Sequence, residues 1–340
     1  MKKIRLNDDE NYCLSIVIPV YNGGENFHFC LDSIKEFAPS SVEVIIVADG
    51  DTDGSRNLAT EFDYQLLVNN ISQGPATARN MGAKIAKSDL ICFFDADVTI
   101  NQNTIPLIVD FFAQNQDISA IIGSYDDAPF ADNFLSQYKN LFHHYNHQKG
   151  KENASTFWGA CGIMRKKIFL EIGGFNENYR FPSVEDIELG YRLIKAGYEI
   201  RLCKDIQVKH LKKWTVISLL KAEIFYRAIP WTVLILKYQQ IVNDLNLNWL
   251  NRFSIILVYF SILFILLSFW QKIFIPLILL NIIILLIVNK NLYQFFWQKK
   301  GLLFALKVIP WHFLYFFYGG LGFVIGFFKF KILSPNKVDY

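Results

Sequence analysis

The first 125 residues or so alternate between short apolar runs and stretches with helix-like amphipathic spacing. Apolar runs rich in β-branched residues predict strands buried on both faces, whereas apolar positions three and four residues apart predict helices. Because strands and helices alternate regularly, we expect an α/β fold with a Rossmann-like, mostly parallel central sheet. The predicted strands are 14–20, 42–48, 64–69, 89–97 and 118–123, and the predicted helices are about 25–37, 54–61, 76–87 and 104–115.

Polar side chains follow three of these strands at the point where each strand ends. "YNGG" follows the first strand, "DGDTDG" follows the second, and "DAD" follows the fourth. The carboxyl ends of parallel strands meet at one edge of a sheet, and ligands bind beyond that edge. The sequence therefore predicts a ligand site there.

The second of these segments has the spacing that opens a calcium-binding EF-hand loop, Asp49-x-Asp51-x-Asp53-Gly54. An EF-hand loop also needs a glutamate at its twelfth position and a helix on each side. The twelfth residue here is Thr60, and the run before the loop predicts a strand. These two differences make a calcium site an unfavourable interpretation.

The C-terminal part of the chain contains three long apolar runs, 253–270, 273–288 and about 308–328. A helix needs about 20 apolar residues to cross a bilayer core, so the first two runs predict a hairpin of two membrane helices. A third crossing would leave Lys329 and Lys331 on the outer side, against the positive-inside tendency. We therefore expect the third run to be re-entrant or interfacial. A buried helical core is the alternative interpretation of these runs.

Charge is distributed unevenly along the chain. Residues 1–200 have a net charge of −10, whereas residues 201–252 and 253–340 have +6 and +7. An acidic head followed by basic, apolar segments fits attachment to an anionic membrane surface and argues against a nucleic-acid partner. The basic and aromatic segment 209–231 predicts an interfacial amphipathic helix anchored by Trp214, with an ordinary surface helix as the alternative.

The chain is therefore expected to have three parts: an N-terminal domain, 1–205, a segment of amphipathic interfacial helices, 206–252, and a membrane region, 253–331. Five scattered cysteines lack metal-ligand spacing and are expected to be free thiols in a reducing cytosol. No signal peptide is evident in the sequence. We expect the N-terminal domain to lie on the cytoplasmic side of the inner (cytoplasmic) membrane.

Two acidic pairs and one arginine are the candidates for chemistry. Asp95 and Asp97 follow a predicted buried strand, and two such carboxylates can share a divalent cation that neutralises a diphosphate. Arg79 lies in a predicted helix, where it can contact a base or phosphate or simply be solvated. Glu185 and Asp186 begin another predicted helix, where one can act as a general base or both can favour the helix dipole.

Six segments in this order resemble the inverting glycosyltransferases of family 2, which have the A-type nucleotide-sugar fold. Together they extend over about residues 14–202, and six ordered segments are more specific than any one of them. They are "SIVIPVYNGG", "VIIVADGDTDGS", "GPATARNMGA", "FFDADV", "FWGACGIMRKKIFLEIGGFNE" and "SVEDIELGYRLIKAGYEI". The resemblance implies that the loop around Asp49 binds a nucleotide.

The resemblance implies a set of donor-binding residues. Pro19 and Tyr21 would line the nucleobase pocket, and Asp49 would hydrogen-bond the base, normally uracil. Arg79 would help to hold the nucleotide, and Asp95 would contact the ribose or the sugar. The partner implied on this side is a nucleotide-sugar donor.

The resemblance also implies a metal and an acceptor side. Asp97, with the first carboxylate of its pair, would ligate Mg²⁺ or Mn²⁺ bridging the two phosphates. Asp186 would be the general base that deprotonates the acceptor hydroxyl, with Glu185 as the fallback candidate. Trp158 and Gly159 resemble the family's acceptor-side strand, although a core tryptophan is also compatible with the pattern.

The sequence departs from the family pattern in two places. Ala48 replaces the first of two aspartates in the nucleotide loop, which puts a strict uridine preference in doubt. Processive synthases of this family carry a Gln-x-x-Arg-Trp motif, whereas the comparable segment here, "KHLKKW", lacks both Gln and Arg. We therefore expect transfer of a single sugar to a lipid-linked, glycan or other membrane-proximal acceptor.

Two other functions are compatible with the sequence. One is a polyprenyl-phosphate sugar synthase, in which a lipid phosphate is the acceptor and a strong base is unnecessary. The other is a catalytically idle nucleotide-sugar-binding scaffold at the membrane. The intact acidic residues 95, 97 and 186 argue against the scaffold, and Ala48 gives it slight support.

Overall fold

The computed structural model of the protein describes residues 12–239 and 243–332. The chain forms two compact units. The sheet unit comprises the described residues up to Asp132 together with Glu152–Lys213, and the helical unit comprises Asn133–Lys151 together with the described residues from Trp214 onwards. The bounds predicted from the sequence for three domains stay predictions, and residues 133–151 group with the C-terminal helices. The N-terminal residues considered for a signal peptide lie outside the described ranges.

The sheet unit is built around one mixed sheet of eight strands. The strands are β1 (Leu14–Val20), β2 (Val42–Asp49), β3 (Gln65–Asn69), β4 (Leu90–Phe94), β5 (Val98–Thr99), β6 (Ala120–Tyr125), β7 (Cys161–Arg165) and β8 (Ile200–His210). Their order across the sheet is β3-β2-β1-β4-β7-β6-β8-β5. Strands β1 to β4 are parallel, β7 is antiparallel to both β4 and β6, and β5 is antiparallel to β8. The mostly parallel sheet predicted from the sequence is confirmed.

Thirteen α-helices are present in the described part of the chain. They are α1 (Gly24–Phe37), α2 (Ser55–Ala59), α3 (Pro75–Ile85), α4 (Thr104–Gln114), α5 (Phe134–Lys149), α6 (Lys166–Glu171), α7 (Glu185–Lys195), α8 (Val216–Lys221), α9 (Ile229–Tyr238), α10 (Trp249–Ser268), α11 (Phe274–Val288), α12 (Lys290–Lys300) and α13 (Leu302–Ile332). A π-helical segment, Ala222–Ala228, joins α8 to α9, and a 3₁₀ turn, Leu245–Leu247, precedes α10. The predicted strands and helices of the N-terminal part are confirmed, except that β4 ends before its acidic residues.

Helices cover both faces of the central strands because successive side chains of a strand point in opposite directions. Ile16 of β1 and Ile46 of β2 belong to one buried cluster with Phe27 of α1. Val17, on the other face of β1, meets Gly82 of α3, where a Cβ atom would lie 2.4 Å from Val17 Cγ1. Glycine at position 82 therefore lets α3 pack closely against the sheet.

Two helices of the helical unit, α10 and α13, are long and apolar enough to cross a membrane. Helices α11 and α12 pass the same test only as a pair, and they meet at a bend of 63°. The bend lies at Asn289, whose side chain donates to Ser254 Oγ of α10 at 3.0 Å and to the Leu285 carbonyl at 2.9 Å. The third run lies inside the continuous helix α13, so it does not form a re-entrant turn, and its expected interfacial placement stays a prediction. Flanking lysines constrain the orientation of a span and do not interrupt its helix.

The segment predicted as one amphipathic helix, 209–231, has a different structure. Its first two residues belong to β8, where Lys209 forms an ion pair with Asp126 at 2.8 Å, and helix begins only at Val216. Trp214 is 7% exposed and packs with Leu135 and Leu219 inside the helical unit. Trp214 is therefore a core residue of this unit, and the prediction that it anchors the helix at an interface is wrong.

A buried ionic cluster joins three elements of the helical unit. Glu223, in the π-helical segment, accepts hydrogen bonds from Lys139 of α5 at 2.7 Å and from Arg227 at 2.9 Å, and Tyr318 of α13 donates to it at 3.2 Å. Burial alone would raise the pKa of Glu223, but the charges of Lys139 and Arg227 outweigh it and lower that pKa. The ionised carboxylate fixes α5 to the C-terminal helices.

Glu223→Ala should destabilise the helical unit strongly, because it leaves Lys139 buried without its carboxylate partner. Breaking a buried ion pair by removing one member costs about 3–5 kcal/mol. The measurement is thermal unfolding of the detergent-solubilised protein. Glu152→Ala is the matched control, since Glu152 is 77% exposed and lies 4.0 Å from Arg201, and such a surface pair contributes about 0–1 kcal/mol. Equal shifts in the two variants would contradict the prediction.

Candidate active site

The strand directions bring four segments of the sheet unit to one edge. Asp95 follows Phe94, the last residue of β4, and Phe94 pairs with Cys161, the first residue of the antiparallel β7. The loop before β7 therefore reaches the edge that carries Asp95. His210, at the end of β8, also lies at this edge and pairs with Val98, directly after the acidic pair.

Asp49, at the end of β2, is fully occupied by protein donors. Its carboxylate is 3% exposed and accepts hydrogen bonds from Asn69 Nδ2 at 2.7 Å, from Ser72 Oγ at 2.8 Å, and from the backbone N–H groups of Gln73 and Gly74. A contact with a nucleobase would have to displace some of these bonds. In this structure Asp49 holds the loop that leads into α3, and its contact with a base stays a prediction.

The two later aspartates of the apparent calcium pattern bind backbone amides. Asp51 accepts from the Arg56 N–H at 3.0 Å. Asp53 accepts from Gly24 N–H, at the start of α1, at 2.9 Å, and from Ser55, at the start of α2, at 2.7 and 3.0 Å. Burial would raise the pKa of Asp53, but the bonds from Ser55 and Gly24 lower it. These two aspartates therefore bind backbone amides at the starts of α1 and α2.

Arg79 is buried and joins two carboxylates. Its side chain is 6% exposed, with Nη2 2.6 Å from Asp95 Oδ1 and Nη1 3.0 Å from Glu185 Oε1. The guanidinium also lies 5.3 Å from the centre of the Phe175 ring. Arg79 is therefore not a solvated helix residue, and its contact with a base or phosphate stays a prediction.

The Asp186 carboxylate is held by backbone donors. Its Oδ2 accepts from the Gly159 N–H at 3.0 Å, and its Oδ1 accepts from the Ile187 N–H at 2.7 Å. Burial and the negative charge of Glu185 raise the pKa of Asp186 to about 6, against the opposing effects of Gly159 and Arg79. A carboxylate with a pKa near neutrality is suited to accept a proton from a substrate.

Glu185 differs from its neighbour in its partners. It is 4% exposed and accepts from Arg79 through one oxygen and from the Ser183 N–H, at 2.8 Å, through the other. Glu185 is thus ion-paired with a guanidinium, whereas Asp186 accepts from the neutral backbone amides of Gly159 and Ile187. Of the two acids, Asp186 is the better candidate for a proton acceptor.

Asp97 is paired with a histidine that the sequence interpretation missed. His210 Nε2 lies 3.4 Å from Asp97 Oδ2, and its ring stacks on Tyr125 with centroids 4.4 Å apart. Burial would raise the pKa of Asp97, but His210 and then Lys212 lower it to about 2. The sequence contained an indication of this pairing in "KHLKKW". Its histidine ends a strand of alternating apolar residues, and that strand ends at the same edge as the acidic pair.

A carboxylate and an imidazole at this separation fit one divalent cation, because both are common ligands of such ions. The Asp97 side chain is 29% exposed, which leaves access for phosphate or water ligands. Within residues 12–239 and 243–332, no three His, Cys, Asp or Glu side chains converge to form a complete metal site. Asp95 is paired with Arg79, so its predicted sharing of the ion with Asp97 stays a prediction.

The remaining predicted residues lie at the same edge with different exposures. Tyr21, directly after β1, is 56% exposed, and Pro19 is partly buried within β1. Trp158 is partly buried and packs edge-on against Tyr125, with ring centroids 4.7 Å apart. Through Tyr125 it is linked to His210, so the core and acceptor-side interpretations of Trp158 are both compatible with its position.

Two family profiles match overlapping parts of the chain. Residues 15–173 match the profile described as "Glycosyl transferase family 2". Residues 15–173 form a family 2 glycosyltransferase domain. Residues 139–214 match a second profile, "N-terminal domain of galactosyltransferase".

Curated relatives of the glycosyltransferase domain include two bacterial enzymes. Glycosyltransferase GlyG of Streptococcus pneumoniae serotype 4 is 28% identical over 198 residues, 53% of this chain and 65% of GlyG. O-antigen chain rhamnosyltransferase WbaN of Salmonella anatum is 26% identical over 217 residues, 59% of this chain and 67% of WbaN. The chain spans only 26% to 65% of the length of the first three curated relatives.

A solved structure supports the fold over most of the chain. The mannosyltransferase PcManGT from Pyrobaculum calidifontis, in complex with GDP-Man and Mn²⁺, has a TM-score of 0.52 and 14% identity, and the match covers 92% of this chain and 87% of PcManGT. At this identity the likeness gives the fold alone. The A-type fold expected from the sequence, followed by helices, is confirmed.

Asp49→Asn should destabilise the glycosyltransferase domain without any nucleotide present. The new amide group would face donors from Asn69, Ser72 and the backbone, and leaving buried donors unsatisfied costs about 1–3 kcal/mol each. Thermal unfolding in nucleotide-free buffer measures this loss, with Asp51→Asn as the control, because the Asp51 carboxylate accepts from the Arg56 N–H in an exposed turn. An unchanged melting temperature for Asp49→Asn would contradict the loop-holding role of this residue.

Proposed function

We propose that the protein is a membrane-anchored inverting glycosyltransferase. It transfers one sugar from a nucleoside diphosphate sugar, UDP-linked by the resemblance, to a hydroxyl of a lipid-linked or membrane-proximal acceptor. The observation that carries this proposal is the Asp186 carboxylate, poised with a pKa near neutrality and held at the start of α7 by two backbone amides. It lies in the same domain as the ionised Asp97 beside His210.

In the proposed reaction Asp186 accepts the proton of the acceptor hydroxyl. The acceptor oxygen attacks the anomeric carbon, the bond from that carbon to the diphosphate oxygen breaks, and the configuration inverts. Asp97 and His210 would hold Mg²⁺ or Mn²⁺, which supplies positive charge to the leaving diphosphate when bound. Tyr21 and Pro19 remain the candidates for contact with the base, and Trp158 and Gly159 for the acceptor side.

The names of relatives support a sugar-nucleotide donor without fixing its identity. PcManGT is described with GDP-Man and Mn²⁺, and WbaN is described as a rhamnosyltransferase of the O-antigen chain. Ala48 replaces the first aspartate of the family pattern, and Asp49 accepts hydrogen bonds from its own loop, so the proposal leaves the choice between uracil and guanine open. A panel must therefore include donors with both bases.

Membrane attachment is supported by the side chains around α10. Trp249 at its start is 69% exposed, and Phe269 and Trp270 just after its end are 82% and 76% exposed. Aromatic residues at both ends of an apolar helix are typical of the two membrane interfaces. With the acidic glycosyltransferase domain before this helix and basic segments around it, a cytoplasmic domain on the inner membrane is the proposed arrangement.

The test is transfer from a panel of UDP- and GDP-sugars by the detergent-solubilised full chain, with membrane lipid extract as acceptor. Each donor is assayed with Mn²⁺ and with a chelator. The proposal expects transfer that depends on the cation with one or a few donors. Donor binding that ignores the cation, with no turnover on any donor, would instead support the scaffold alternative.

Asp186→Asn should reduce transfer to a hydroxyl acceptor by about 10²–10⁴-fold, because the amide cannot accept the proton. In the unmodified protein transfer should fall as pH decreases through about 6, since the base becomes protonated below its pKa. A lipid phosphate acceptor is already anionic, so a mild effect of Asp186→Asn would indicate the polyprenyl-phosphate synthase instead. The measurement is the initial rate of transfer at several pH values.

A further inference from the structure

We infer that Arg79 is a positioning residue that links the donor-side carboxylate Asp95 to the acid segment that carries Asp186. This inference rests on the proposed function and assigns Arg79 a role other than contact with the nucleotide. The two terminal nitrogens of Arg79 contact carboxylates from different elements, Asp95 after β4 and Glu185 at the start of α7.

The planar guanidinium is the group that makes this link feasible. It presents donors in a fixed fork and can bind two acceptors at once, whereas an ammonium is a single point of charge on a flexible stem. Both carboxylates lie within 3.0 Å of a terminal nitrogen, and the Arg79 and Glu185 side chains are each 6% exposed. Such buried, charge-assisted bonds hold their partners with little freedom.

The protein fixes the guanidinium from two further sides. The ring of Phe175 lies under it, and Asn80 holds Phe175 by accepting from its N–H and donating to its carbonyl, both at 2.8 Å. On the other side, a Cβ atom at Gly159 would lie 3.0 Å from Arg79 Nη2. Gly159 also donates to Asp186, so one backbone segment contacts both the guanidinium and the candidate base.

Arg79 is the cation that balances a group of three acids. Asp95 and Glu185 contact it directly, and its charge also acts on Asp186, whose own neighbour Glu185 has the opposite effect. Removing the guanidinium would leave Glu185 and Asp186 to repel each other in a buried site. The start of α7 would lose its partner, and the ionised form of Asp186 would become less favourable.

The experiment compares Arg79→Met and Arg79→Lys with Asn80→Ala as the structural control. Arg79→Met should lower kcat by about 100-fold, because misplaced catalytic groups carry a cost of that order. The acid limb of its kcat–pH profile, where the rate falls as Asp186 becomes protonated, should move to higher pH by about one unit or more. The loss of a nearby opposite charge raises a carboxyl pKa by that amount. KM for the donor should change little.

The two other variants separate charge, geometry and folding. Arg79→Lys should keep the acid limb near its original position, because the charge remains, while kcat stays low, because one ammonium cannot hold both carboxylates. Asn80→Ala should lower the melting temperature and leave the acid limb in place. A large rise in donor KM for Arg79→Met, with an unmoved acid limb, would overturn the inference and return Arg79 to nucleotide binding.

A second readout does not require transfer, so failure of the proposed function leaves the inference testable. The pKa of Asp186 is raised in the folded protein, so its protonated form favours folding and this contribution is lost as pH increases to about 6. The stability of Asp186→Asn relative to the unmodified protein should therefore grow with pH up to about 6 and then stay constant.

In the Arg79→Met background the same difference should continue to grow above that pH, because the pKa of Asp186 is higher still. The measurement is the melting temperature, across this pH range, of the unmodified protein, Asp186→Asn, Arg79→Met and the double variant. If the stability difference stopped growing at the same pH in both backgrounds, the inference would be overturned whatever the outcome of the transfer assays.

Discussion

Two carboxylates that are far apart in sequence share one buried guanidinium, and the geometry of the candidate site depends on that interaction. Asp95 follows a strand of the parallel half of the sheet, and Glu185 begins a helix that packs behind the antiparallel half. A buried cation with two ionised partners tolerates little displacement, since any unpaired charge in this region would be costly. Asp186 follows Glu185 in the chain, so the ion pair between Glu185 and Arg79 also fixes the position of Asp186.

The strand reversal at β7 supplies the other half of the site. Because β7 runs antiparallel to β4, the loop before it reaches the edge where the parallel strands end, and the Gly159 N–H meets Asp186 there. The strand β8 ends at the same edge and delivers His210 to Asp97. A parallel β7 would have placed the loop before it at the opposite edge, whereas β8 runs parallel to β6 and β4 and ends at this edge in either case.

The elements of the glycosyltransferase domain could be predicted from sequence because their signals are local. Buried strands such as 14–20 and helices such as 104–114 follow from periodicity alone. The partners of the polar residues could not be predicted in the same way. Asp49 and Arg79 are bonded by groups of the protein that lie far from them in sequence, and only the packed structure brings those groups together.

The helical unit illustrates the same limit. Its apolar runs were visible in the sequence, yet the sequence did not indicate the bend at Asn289 or the hydrogen bond from that residue to another helix. Trp214 and the basic residues around it have the composition of an interfacial helix, but strand pairing and packing determine where the helix begins. Composition therefore indicates that a segment is amphipathic without indicating which side chains are buried.

The position of α5 in the chain has a practical consequence. The polypeptide leaves the sheet after β6, forms α5 within the helical unit, and returns to the sheet as β7. A fragment cut after residue 213 would still contain α5, with the Lys139 ammonium and a row of aromatic side chains that normally pack on residues beyond the cut. Aggregation of such a fragment would reflect this stranded helix rather than any defect in the glycosyltransferase domain itself.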